Sequence, residues 1–187
     1  MGVSGRTLLQ TAWTQGLGGT GSGDPLVSRQ GASGGFGKLN LELARVQNIQ
    51  PGLYGVLRGS AQFATQPLYA AEQFALGGPD TVRGFSQAEL LGDDGYLVSA
   101  ELRWSPIEEE PDLFQVACFV DHGGVRLKRP SPGDLLRGTN LTGAGLGFRL
   151  GLGSVGHLRV DVGFPVSPSA SRIISNPAIY AGLQSRF

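Results

Sequence analysis

The chain has 187 residues with 15 basic and 15 acidic side chains, enough for one sizeable domain and without the cationic footprint that nucleic acid requires. A single cysteine, Cys118, excludes an intrachain disulfide and a thiolate zinc site. No run of about 18 apolar residues is present, which excludes a transmembrane helix but not a membrane β-barrel.

Glycine accounts for 31 residues, more than twice the usual share of roughly 7%, with no collagen-like period. Such a composition suits β structure in which backbones approach closely. Taken in chain order, period-two alternation marks eight segments. Thr7–Gln15 carries Leu9 and Trp13 on its apolar side. Phe36–Arg45 alternates Leu39, Leu41 and Leu43 with Lys38, Asn40 and Glu42, and Leu53–Thr65 alternates Leu57, Gly59, Ala61 and Phe63 with Arg58, Ser60 and Gln62.

The later segments alternate more cleanly. Tyr96–Trp104 sets Tyr96, Val98, Ala100, Leu102 and Trp104 against Leu97, Ser99, Glu101 and Arg103. In Phe114–Gly123, Phe114, Val116, Cys118 and Val120 oppose Gln115, Ala117, Phe119, Asp121 and Gly123. Thr142–Leu150 places three glycines and Arg149 opposite Thr142, Ala144, Leu146, Phe148 and Leu150. Gly156–Phe164 sets Leu158, Val160, Val162 and Phe164 against His157, Arg159, Asp161 and Gly163. Ile179–Phe187 closes the series, with Ile179, Ala181, Leu183 and Phe187 facing away from Tyr180, Gly182, Gln184 and Arg186.

A soluble sandwich would alternate in the same way, so the connections decide. Those at Asn48–Gly52, Ser105–Asp112 and Leu152–Val155 are short, whereas Gly18–Gly35, Leu68–Gly95, Gly124–Gly138 and Pro165–Ala178 are long. Short turns on one rim and long loops on the other are the pattern of outer-membrane barrels. Tyr96 and Trp104 bracket one outward face, and Phe114, Phe164 and Phe187 lie at strand ends, where aromatic girdles sit. The expectation is an all-β, antiparallel transmembrane barrel, or part of one, with its long loops outside the cell and its polar face lining a water-filled lumen.

The closing strand resembles the C-terminal signal of bacterial outer-membrane proteins, which the assembly machinery reads as an unpaired edge strand. The resemblance assigns that role to Tyr180, Gly182 and Phe187.

The connection Leu68–Gly95 is about 28 residues, well beyond the 12–15 at which structureless loops become uncommon. With Phe74, Leu76, Val82, Phe85, Leu90 and Leu91 it is too apolar for a disordered linker. Folded into the lumen, its Arg83 would leave bulk water and need a carboxylate, and Glu101 and Asp121 point inward on the next two strands.

Val82-Arg83-Gly84-Phe85 resembles the loop signature of the superfamily that inserts or exports polypeptides at the outer membrane, and Phe119-Val120-Asp121-His122-Gly123 resembles its partner motif on the barrel wall. The wider pattern, Phe74-x-Leu76-Gly77-Gly78 ahead of Val82 and Glu101-Leu102-Arg103 behind it, is most similar to the haemolysin-activator branch, the transporters of two-partner secretion. That resemblance runs from about Leu53 to Phe187. It implies that Arg83 pairs with Asp121, with Glu101 as an additional acceptor, pinning the loop tip inside the pore. Gly84 would let the tip turn sharply and Gly123 would leave room at the wall. It also implies a secreted polypeptide as partner, a Gram-negative outer membrane as location, and a barrel of about sixteen strands preceded by periplasmic modules. An eight-stranded barrel is filled by its own side chains and Met1-Gly2-Val3-Ser4-Gly5-Arg6 holds no apolar signal core, so the expectation is the C-terminal half of such a barrel.

Other signals are weaker. His122 and His157 lack partners at ligand spacing, so no metal is expected. Gly143, Gly145 and Gly147 lie within a strand, away from the strand-to-helix switch that a phosphate loop needs. Glu108, Glu109 and Glu110 read as a solvated turn. Nothing ties Ser, His and Asp into a triad, so neither an enzyme nor a cofactor is expected. An insertase of the same superfamily and a passive porin-like barrel are the alternative functions.

Overall fold

The computed structural model describes residues 4–18, 29, 31–107, 109–130, 139–153, 155–167 and 176–185. Glu108, Arg186 and Phe187 lie outside the described residues, and with Phe187 goes the terminal part of the expected assembly signal.

The strands are β1 (Gly5–Gln15), β2 (Gly37–Gln50), β3 (Leu53–Ala64), β4 (Phe74–Leu76), β5 (Leu90–Gly92), β6 (Asp94–Trp104), β7 (Phe114–Arg126), β8 (Thr139–Gly151), β9 (Gly156–Pro165) and β10 (Ala178–Ser185). Eight of them form one antiparallel sheet in the order β1-β2-β3-β6-β7-β8-β9-β10, and β4 pairs with β5 in a second, two-stranded sheet. The large sheet is an unbroken meander. It is not closed, since β1 and β10 pair on one side only among the described residues. All eight expected wall strands are present, several longer than alternation indicates: β2 continues to Gln50 and β7 to Arg126.

Over the central strands one face of the sheet is buried and the other is not, whereas β1 is exposed along its whole length and β10 has no buried residue. Along β6, Leu97, Ser99 and Glu101 are buried while Tyr96, Val98, Leu102 and Trp104 are exposed. The exposed face carries Val120, Leu146, Phe148, Phe164 and Leu183 on the following strands. A continuous apolar surface of this extent is an association hazard in water, whereas a bilayer is its natural solvent.

The long connection between β3 and β6 covers the other face. Sequence periodicity missed its internal order, because three-residue strands are too short to show a period. Within it, a 3₁₀ turn at Ala70–Glu72 leads into β4, and β4 and β5 pair through Phe74↔Gly92, Ala75↔Leu91 and Leu76↔Leu90. Leu76, Val82, Phe85 and Leu90 from this loop pack with Leu97 of β6, Val125 of β7 and Leu141 of β8. Each such side chain contributes on the order of 1.5–3 kcal/mol when fully buried, which holds the loop on the wall. Gly123 makes this possible, because a Cβ there would stand 2.7 Å from the Tyr96 carbonyl oxygen and 2.9 Å from Leu76 Cδ2.

At the long-loop rim, Asp93 is fully buried and gathers three connections. Its Oδ1 accepts from the Leu68 amide at 2.8 Å and Gln73 Nε2 at 3.1 Å. Its Oδ2 accepts from the Lys128 amide at 2.6 Å and Arg29 Nη1 at 2.5 Å. Leu68 and Gln73 belong to the long loop, Lys128 follows β7, and Arg29 lies between β1 and β2.

Candidate functional site

Between β4 and β5 the loop reaches its tip at Val82-Arg83-Gly84-Phe85, all four buried. Arg83 is 2% exposed. A guanidinium offers five N–H donors in a fixed fork, and each finds an acceptor. Nε and Nη2 grip Asp121 bidentately, at 2.7 Å to Oδ2 and 2.9 Å to Oδ1. Nη1 donates to Glu101 Oε2 at 2.9 Å and to Asp161 Oδ2 at 3.3 Å. The remaining Nη2 hydrogen points to Ser99 Oγ at 3.5 Å, and that hydroxyl in turn donates to Asp121 Oδ1 at 2.7 Å. The Arg83 backbone amide also donates to Asp121 Oδ2, at 3.1 Å. Below the fork lies the ring of Phe119, its centroid 3.3 Å from the Arg83 Cζ, a cation–π contact within a site screened from water. Burial works against the charge of Arg83, but its hydrogen bonds and Coulombic attraction to Asp121 and Glu101 outweigh that and hold its pKa above the ordinary value.

Strand register explains why these groups meet. Ser99 of β6 is directly opposite Asp121 of β7, and Glu101 is opposite Phe119. On β8, glycines stand opposite those positions: Asp121↔Gly143, Phe119↔Gly145 and Ala117↔Gly147. Each glycine leaves a slot. A Cβ on Gly143 would collide with the Arg83 carbonyl oxygen, one on Gly145 would lie 2.5 Å from the Phe119 ring, and one on Gly147 would strike the Asp161 carboxylate. On β9, a Cβ at Gly163 would stand 2.5 Å from the Gly84 amide nitrogen. Gly84 has φ +101°, a conformation that L side chains rarely adopt, and a Cβ there would lie 2.8 Å from the Phe164 carbonyl carbon. The tip is therefore seated by its backbone as well as by its charge.

A second tier of cations lies toward the short-turn rim. Arg103 Nε donates to Glu101 Oε1 at 2.6 Å. Arg149 bridges Asp161 Oδ1 at 2.6 Å and Glu101 Oε1 at 3.1 Å. Arg159 Nε donates to Asp161 Oδ2 at 2.7 Å, while its Nη2 reaches back to the Pro79 carbonyl in the loop at 2.9 Å. The outcome is one network of guanidinium groups around three buried carboxylates. Among the described residues no group of His, Cys, Asp and Glu is arranged to hold a metal ion.

Residues 2–150 match the family model "Haemolysin secretion/activation protein ShlB/FhaC/HecB". The chain belongs to the haemolysin secretion/activation family. The match includes both motifs and extends N-terminal to them, and it stops short of β9 and β10. The fold resembles CdiB from Escherichia coli, with TM-score 0.71 and 21% identity over 95% of this chain and 33% of that one. It also resembles CdiB from Acinetobacter baumannii, with TM-score 0.53 and 23% identity over 77% of this chain and 32% of that one. The chain thus spans about a third of the length of the solved proteins it matches. No curated protein matches it at a significant level.

Within this family member, the residues expected at the loop tip and wall stand together: Arg83 contacts Glu101, Phe119 and Asp121, and Gly84 and Gly123 sit where a side chain would not fit. Two participants escaped sequence reasoning. Asp161 was legible as an inward acid on β9 but was not connected to Arg83, because three intervening glycine slots decide how closely β9 and the loop approach. Tyr180, expected only in the assembly signal, accepts a hydrogen bond from the Gly84 amide at 3.1 Å and donates one to the Phe85 carbonyl at 2.7 Å. Gly182 lies on the same face of β10, where an added Cβ would meet nothing within 4 Å.

Proposed function

We propose that this chain is the C-terminal wall of an outer-membrane β-barrel through which a Gram-negative bacterium secretes a partner polypeptide in the two-partner manner. The barrel would have about sixteen strands, with periplasmic modules ahead of it, and the long loop would fold from the cell surface into the lumen as a lock on the conduit. The partner would be of the haemolysin or adhesin type and would be activated on export. The chain would act as a conduit, not an enzyme, and without a cofactor.

The observation that carries this reading is the complete satisfaction of Arg83 by acids from three separate wall strands together with the Ser99 hydroxyl. A buried ion pair contributes little net stability but is well suited to fixing one conformation. A passive barrel has no need of such an arrangement. Family membership and the apolar outer face support the membrane location. The bilayer would contact the exposed face that carries Val98, Val120, Leu146, Phe148 and Leu183, and the outer-membrane assembly machinery would read β10 through Tyr180, Gly182 and Phe187.

The test is export of the natural partner by the full natural chain carrying Arg83→Ala, Arg83→Lys or Asp121→Ala. Export is expected to fall to about a tenth or less with either alanine. Lysine should rescue only in part, since it retains the charge but not the bidentate fork. The barrel should still be found in the outer membrane. Undiminished export by Arg83→Ala would overturn the proposal.

A further inference from the structure

The polar links between loop tip and wall fall on β6, β7 and β9, with one exception. On β10, Tyr180 stands opposite Asp161 of β9, and its hydroxyl spans two consecutive residues of the loop. It accepts from the Gly84 amide and donates to the Phe85 carbonyl. Phe85 is 3% exposed and Gly84 is buried. Among the described residues these are the only hydrogen bonds made by that amide and that carbonyl. Buried backbone groups of this kind are costly to leave unpaired. They also sit at the point where Gly84, at φ +101°, reverses the chain. One phenol therefore sets the direction in which the tip leaves the Arg83 network.

We propose that the Tyr180 hydroxyl is a positioning group for the loop lock, tying its tip to the closing strand of the sheet. The inference rests on the reading of the loop as a lock. It gives Tyr180 a role in its hydroxyl that is separate from any role of its ring in assembly. Arg83 fixes the tip against the middle of the wall, and Tyr180 fixes its orientation from β10. Displacement of β10 relative to β9 would therefore be felt at the tip.

Thr81 supplies a reporter. The residue is partly exposed but its hydroxyl oxygen is buried without a hydrogen-bond partner, so a Thr81→Cys sulfur in the place of that oxygen is labelled slowly while the tip is seated and faster when the tip lifts. The experiment uses the full natural chain in outer membranes, with Cys118→Ser as background because Cys118 is exposed. The initial rate of Thr81→Cys modification by a membrane-impermeant maleimide is measured, with Val166→Cys in the β9–β10 connection as a control. Tyr180→Phe keeps the ring and removes the hydroxyl. It is expected to raise labelling at position 81 about tenfold, consistent with losing paired partners for two buried backbone groups, while labelling at position 166 and the amount of barrel stay unchanged. In an Arg83→Ala background, where the tip is already released, the same change should add little. If Tyr180→Phe labels at the parental rate while Arg83→Ala labels faster, the lock stands and the role of Tyr180 is overturned. If neither variant changes labelling, the lock itself fails, and this inference with it. Loss of Tyr180→Phe from the membrane would assign the hydroxyl to assembly and likewise overturn the proposal.

Discussion

The molecule fastens its long loop at two places by opposite means. Inside, a cation, Arg83, is held by Asp121, Glu101 and Asp161 from the wall. At the rim, an anion, Asp93, is held by two backbone amides, a glutamine amide and Arg29. The inner fastening joins charged side chains, and a charge left unpaired in a buried site is costly. The outer one relies largely on main-chain donors, which water can satisfy once the loops separate. Coupling should therefore be strong and all-or-none in the lumen, and weaker and local at the rim. That difference would suit the proposed lock, in which the loop leaves the lumen as a unit while its roots stay in place.

The comparison can be broken at either end. Asp121→Ala should have the largest effect, destabilising the seated loop by about 3–5 kcal/mol because Arg83 remains buried with its bidentate partner gone; thiol labelling at Thr81→Cys should report the opening. Gly163→Ala comes next. The new methyl would meet backbone of the tip at 2.5 Å, and overpacking of this kind costs typically about 1–3 kcal/mol, so the same labelling should rise by roughly one to two orders of magnitude. Asp93→Ala should cost about 1–3 kcal/mol by orphaning the Leu68 and Lys128 amides. Its signature is spatial: proteolysis of intact cells should rise in the surface connections with no change at position 81. Smallest is Arg126→Ala. Its 2.7 Å bridge to Asp94 involves a side chain that is 69% exposed, and pairs of that kind are worth about 0–1 kcal/mol; thermal unfolding in detergent should barely move.

The two fastenings were unequally legible in the sequence. Ser99, Glu101, Phe119 and Asp121 share a face by simple alternation, so a loop arginine reaching that face has evident partners. Asp161 lies on the same face, but its distance from Arg83 depends on Gly143, Gly145 and Gly147 removing side-chain bulk from β8, which no period reveals. Tyr180 meets Gly84 across 96 positions of chain, and nothing in either segment signals the other. Asp93 was hidden for another reason: it sits between β5 and β6, outside any alternating run, and its partners are backbone amides that carry no residue identity. The paired β4 and β5 were invisible at three residues each.

The central claim is that Arg83 and Asp121 hold the loop as one coupled unit. A double-mutant cycle on the full chain, Arg83→Ala with Asp121→Ala, measured by urea unfolding in detergent micelles, tests it most directly. The account predicts that the double variant is no less stable than Asp121→Ala alone, a coupling of about 2 kcal/mol or more. Losses that add across the two sites would contradict it.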